Sequence, residues 1–173
     1  MSIQLSTIKL ALKIDFSTDD SELIRIRDSA IAWIEVYTGL SLSVKDQTDY
    51  AWYFMRTRLN SDPFIDVDSV QYYNSANTLT TMAATDYFLD RSNPPSIYIN
   101  FSNFPSVYEN TQILINYTTG YGQIPAHIQQ AAIAIIGHWY NNPEMAAPIA
   151  LQEVPMSARF ILDTLRTKNA VLE

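Results

Sequence analysis

Two histidines and two trios of aspartate are the residues of this chain best suited to chemistry. His127 and His138 are its only histidines. Eleven positions apart on one helix, they share a face but stand about 16 Å apart along the axis. Zinc ligands sit roughly 2 Å from their ion, so this pair cannot share one. Neither belongs to a His-Glu-x-x-His pattern, and each reads as a polar contact. Asp15, Asp19 and Asp20 fall at a break in the apolar pattern, while Asp62, Asp66 and Asp68 surround a strand start. Either trio offers oxygens of the kind calcium takes, yet both lack the EF-hand spacing with its Gly and closing Glu. Helix capping accounts for the first trio, and the solvent face of a strand for Asp66 and Asp68. A hydrolase built on paired carboxylates needs two acids with divergent environments in one cleft, which sequence cannot display. The absence of cysteine removes disulfides, thiolate metal sites and cysteine nucleophiles together. Four glycines and no Gly-x-Ser-x-Gly leave neither a phosphate-cradling loop nor a nucleophile elbow. The expectation is a chain with no catalytic residue, no bound metal and no cofactor.

The elements that must position these residues follow from periodicity. Leu5, Ile8, Leu10 and Leu12 predict a short helix over about 5–14, with Ser6 as a cap. After Ser17-Thr18-Asp19-Asp20, the apolar residues Leu23, Ile26, Ala30, Trp33, Ile34 and Tyr37 recur at steps of three and four. That stripe predicts an amphipathic helix over 20–38, ended by Gly39. Pro125 opens a third helix to Asn141, buried through Ile128, Ala131, Ala132, Ile135, Ile136 and Trp139. Pro155 opens a fourth, over 155–167, through Ala158, Ile161, Leu162 and Leu165. Between the second and third helices the period shifts to two. Strands are expected within 48–118: Tyr50–Met55, Phe64 to Tyr73, Leu79 to Met82, Tyr87–Leu89, Ser96–Ile99 and Gln112–Tyr117. Asn74-Ser75-Ala76-Asn77 is turn chemistry and predicts a hairpin. Short strands joined by turns imply an antiparallel sheet. The fold class is α+β: one mainly helical domain of about four helices, spanning 1–173, with a small antiparallel sheet inserted between the second and third long helices.

A chain of 173 residues supports one well-buried core. No stretch reaches the roughly 20 apolar residues that span a bilayer, and no secretory signal is legible at the N-terminus. The Asn-x-Ser/Thr sequons at Asn100 and Asn116 therefore carry no weight. A formal net charge of −7, with basic residues scattered among carboxylates, argues against gripping nucleic acid. The 11 Tyr, 7 Phe and 3 Trp are the remaining oddity. Trp52-Tyr53-Phe54 and Tyr72-Tyr73 are expected to place rings on both sides of a sheet, as a protein contact surface or beneath covering helices.

In order and spacing, four elements resemble the head–tail connector (adaptor) proteins of long-tailed bacteriophages. They are Lys9 to Ile14 with Asp19-Asp20 and the helix closing on Tyr37-Thr38-Gly39; and Pro63 before Val67-x-x-Val70-x-Tyr72. Next come Ile115-Asn116-Tyr117-x-x-Gly120-Tyr121 with Ile124-Pro125-x-x-Ile128-x-x-Ala131 and Trp139-Tyr140. Last is Val154-Pro155 leading through Ile161-Leu162 to Leu165-Arg166. The chain departs from many relatives in having Asn141-Asn142 where a charged residue follows the Trp-Tyr pair. The resemblance implies a non-enzymatic virion subunit of the neck, assembled in the bacterial host cytoplasm. It implies a homo-oligomeric ring, commonly twelvefold, beneath the portal protein, extending the DNA channel and docking head-closure or tail proteins. DNA passes such a channel without specific binding, and no membrane is involved. The expected interface residues are Trp52, Phe54, Tyr72, Tyr73, Arg166 and Lys168, with the segment after Arg166 as an arm. Two other classes stay open at this point: a terminase-like DNA-packaging component, and a hydrolase using Asp62, Asp66 or Asp68.

Overall fold

The apolar stripes read from the sequence become four helices. A computed structural model of the chain describes residues 3–60, 62–93, 96–142 and 154–166. Helix α1 is Leu5–Leu12, α2 Asp20–Thr38, α3 Ala126–Asn141 and α4 Met156–Asp163. Among the described residues seven strands lie between α2 and α3 in chain order: β1 (Lys45–Ala51), β2 (Thr57–Arg58), β3 (Phe64–Tyr73), β4 (Leu79–Thr81), β5 (Tyr87–Asn93), β6 (Ser96–Phe101) and β7 (Ile113–Thr119). The class is α+β. The chain divides into two compact units: residues 1–43 with 121–173, and residues 44–120.

The first unit is helical. Ile8 of α1, Leu23 and Ile34 of α2, Ile128 and Ile135 of α3 and Leu162 of α4 are all fully buried in one cluster. Each such side chain contributes about 1.5–3 kcal/mol by leaving water. Gly39 ends α2 at φ 74°, a left-handed conformation in which a side chain is strained. Gly137 lets α1 approach α3, since a Cβ there falls 2.7 Å from Leu12 Cδ2. Three sequence expectations shift here. Ser6 does not cap α1; the helix starts after Gln4, which offers no side-chain bond. Lys13 turns left-handed (φ 58°), ending α1 before residue 14. The fourth helix stops at Asp163.

The second unit has two antiparallel sheets where one was expected. One runs β1-β7-β3-β4 and the other β2-β6-β5. Their apolar residues share a core of Val70, Ile99, Phe101, Ile113, Ile115 and Tyr117, to which both sheets contribute. The predicted hairpin forms, with Tyr73 opposite Leu79. Asn74 Oδ1 accepts from the amides of Ala76 and Thr78, and Asn77 sits at φ 56°. Strand pairing reaches from Lys45 to Thr119, wider than the 48–118 window. The stretch Tyr50–Met55 is not a strand as a whole. β1 ends at Ala51 because its partner Ile113 is the first residue of β7. Residues 52–55 bend instead, with the Met55 amide donating to the Tyr53 carbonyl at 2.9 Å.

Candidate interaction surfaces

That bend decides where the aromatic run points. Phe54 turns inward, edge-on to Tyr72 (centroids 5.6 Å apart) and Phe101 (5.2 Å), and packs against the core of the strand unit. Trp52, Tyr53 and Met55 stay exposed, with Tyr53 at 72%. Tyr72 lies half-buried on the inner side of β3, and Tyr73 half-buried one residue on. The six expected interface residues therefore separate: Phe54 and Tyr72 help hold the strand unit together, while Trp52 and Tyr73 keep a face to solvent. Arg166 places its guanidinium over the Tyr37 ring, 4.9 Å from the centroid. Lys168 lies outside the described residues.

Alternation in β7 fixes two faces of the four-stranded sheet. Ile113, Ile115, Tyr117 and Thr119 are buried, and Leu114, Asn116 and Thr118 face outward. Register then aligns Tyr50, Leu114 and Gln71 in one outward row, and Thr48, Asn116 and Ser69 in the next. The second row is a hydrogen-bonded ladder. Thr48 Oγ1 donates to Asn116 Oδ1 (2.7 Å), whose Nδ2 donates to Ser69 Oγ (3.0 Å) and Gln71 Oε1 (3.3 Å). At the far end Thr118 stands opposite Asp46 and Asp66, and its hydroxyl donates to Asp68 (3.0 Å).

On the helical unit, Tyr37 is a hub. It stacks on Trp33 (centroids 4.7 Å, 13° between planes), its hydroxyl donates to Asp163, and Arg159 Nε reaches that hydroxyl at 3.3 Å. Hydrogen bonding to Tyr37, with the charge of Asp163 nearby, raises the Arg159 pKa further above its ordinary value. Beside this hub α4 presents Met156 (87% exposed) and Phe160 (75%), one turn apart and opposite the buried Ala158 and Leu162. This pair was missed in the sequence. An apolar pair at i, i+4 on the side opposite the buried stripe was the available signal.

The aspartate trios do not converge. Asp20 pairs with Lys9 Nζ at 2.6 Å, and Asp19 accepts from the Tyr140 hydroxyl at 2.6 Å. Those contacts tie α2 to α1 and α3, and Asp19 gives α2 no side-chain cap bond. The Asp19 bond also raises the Tyr140 phenol. Asp62 is buried, and desolvation raises its pKa against the opposing charge of Arg58. Asp66 bonds the adjacent Val67 amide. Among the described residues no three His, Asp or Glu side chains are placed to hold a metal ion. His127 is exposed, and His138 is half-buried with Nδ1 3.5 Å from Asn142 Nδ2. Among the described residues, two grooves open on the helical unit. One of about 330 Å³ is lined by Ile3, Gln4, Thr7, Gly122, Gln123, Ile124 and Gln129, with no titratable group. The other, about 210 Å³, carries Asp28 and Glu35. Both acids are committed, Asp28 to Arg27 (2.7 Å) and Glu35 to the Leu42 amide (2.6 Å).

The strand unit thus carries exposed rings at Tyr50, Trp52 and Tyr53, and Asp19 and Asp20 are engaged in holding helices together. A family model of head completion proteins matches residues 3–147, and the chain belongs to that family of virion structural proteins. Its fold is similar to chains in three solved structures. The neck of an empty GTA particle, computed with C6 symmetry, matches with TM-score 0.75 and 19% identity, over 96% of this chain and 90% of that one. The virion of a native gene transfer agent (GTA) particle gives 0.75 and 17%, with the same coverage. The neck of a native GTA particle, computed with C12 symmetry, gives 0.67 and 19%, over 96% and 94%. No curated protein matches the sequence. No helix among the described residues is long and apolar enough to cross a membrane.

Proposed function

We propose that this head completion protein is a non-enzymatic ring subunit of the virion neck. The ring, twelvefold in the particle, sits beneath the portal, extends the DNA channel and docks head-closure or tail proteins. The observation that carries the reading is the family match, joined to a fold shared over 96% of the chain with subunits of particle necks. Both units act together as one connector subunit over 1–173, the strand unit being an insertion into the helical body. The charge of −7 supports a lumen that DNA traverses without adhering, because the cationic clusters that release counterions are missing.

The test is electron microscopy and co-sedimentation of the purified chain with its cognate portal. A coaxial ring on the portal is the expected result. A monomer that ignores the portal at every concentration tried removes the reading. A mobility shift on duplex DNA at low salt would point instead to a DNA-binding packaging component.

A further inference from the structure

We draw no further inference here: the strongest candidate, the apolar surface patch that Met156 and Phe160 form on the outer side of α4, carries none, because nothing in the structure shows what covers it.

Discussion

The helical unit and the strand unit of this protein are stabilised by different means. Among the described residues of the helical unit the buried polar residues, Thr38 and Ser41, are neutral, and half-buried His138 has its Nε2 buried without a hydrogen-bond partner. Thr38 Oγ1 donates to the Ile34 carbonyl at 2.7 Å and accepts from the Leu40 amide at 3.2 Å, closing the end of α2. The strand unit buries two carboxylates, Asp49 and Asp62. It also buries Arg58 Nε and Nη2 without a hydrogen-bond partner among the described residues. A helix needs only its stripe to find a core, whereas a buried acid is tolerated only where particular partners meet it. The strand unit is thus the more exacting of the two.

The largest expected effect tests whether the two behave as separate bodies. Ile135 in α3 and Ile115 in β7 are both fully buried. Either Ile→Ala change should cost about 2–5 kcal/mol through lost transfer energy and the cavity left behind. The probes differ by unit: Trp33 and Trp139 report on the helical unit, whereas Trp52 in the strand unit is exposed and changes little on unfolding. Ile135→Ala should lower the transition seen by tryptophan fluorescence. Ile115→Ala should chiefly lower the one seen by tyrosine near-UV dichroism. If both variants shift both probes equally, the protein unfolds as one cooperative body and the contrast fails.

A smaller effect compares the polar groups directly. Tyr117 is fully buried, and its hydroxyl donates to Asp49 Oδ2 at 3.0 Å, with the Asn60 amide on the same oxygen at 2.8 Å. Tyr117→Phe removes one donor from a buried carboxylate and should cost about 1–3 kcal/mol. Thr38→Val removes a neutral bond from the helical unit and should cost nearer 0.5–1.5 kcal/mol. Urea unfolding of both variants checks the order. A Thr38→Val penalty equal to or above that of Tyr117→Phe would put the polar demand in the wrong unit.

The same contrast explains what could be read from the sequence. The stripe of α3, the glycine after Thr38 and the Asn74 turn were legible because each is encoded within a few residues. The division into two sheets was not, since it depends on β6 pairing with β2 and β5 rather than with β7, and no local signal states that. Trp52-Tyr53-Phe54 reads as strand by composition, yet β1 can extend only as far as β7 offers a partner. At the candidate surface, alternation alone put Tyr72 and Tyr73 on opposite faces of the sheet, without saying which of them faced out. The inward turn of Phe54 was not legible, because it is set by contacts with Tyr72 and Phe101 from elsewhere in the chain. Asp19 and Asp20 look like caps by position, but long-range partners, Tyr140 and Lys9, claim them.

The smallest effect concerns Asp62, where burial acts against the charged form. Its folded pKa is raised, with desolvation the larger cause and Arg58 opposing it. The folded state therefore holds this proton to higher pH than the unfolded chain does. Between the ordinary aspartate value and the raised one, unfolding releases a proton, so stability falls as pH rises through that window. Below the window both states are protonated and the cost is absent; above it the penalty is constant. Asp62→Asn stays neutral throughout, so its stability curve should lack this decline and the two proteins should diverge as pH rises from the acid side. Chemical denaturation at closely spaced pH values, from acid to neutral, measures the difference. Parallel curves would mean that Arg58 compensates Asp62 fully in the folded state. In that case the strand unit would hold an ion pair there, and its excess polar cost would rest on Asp49 alone.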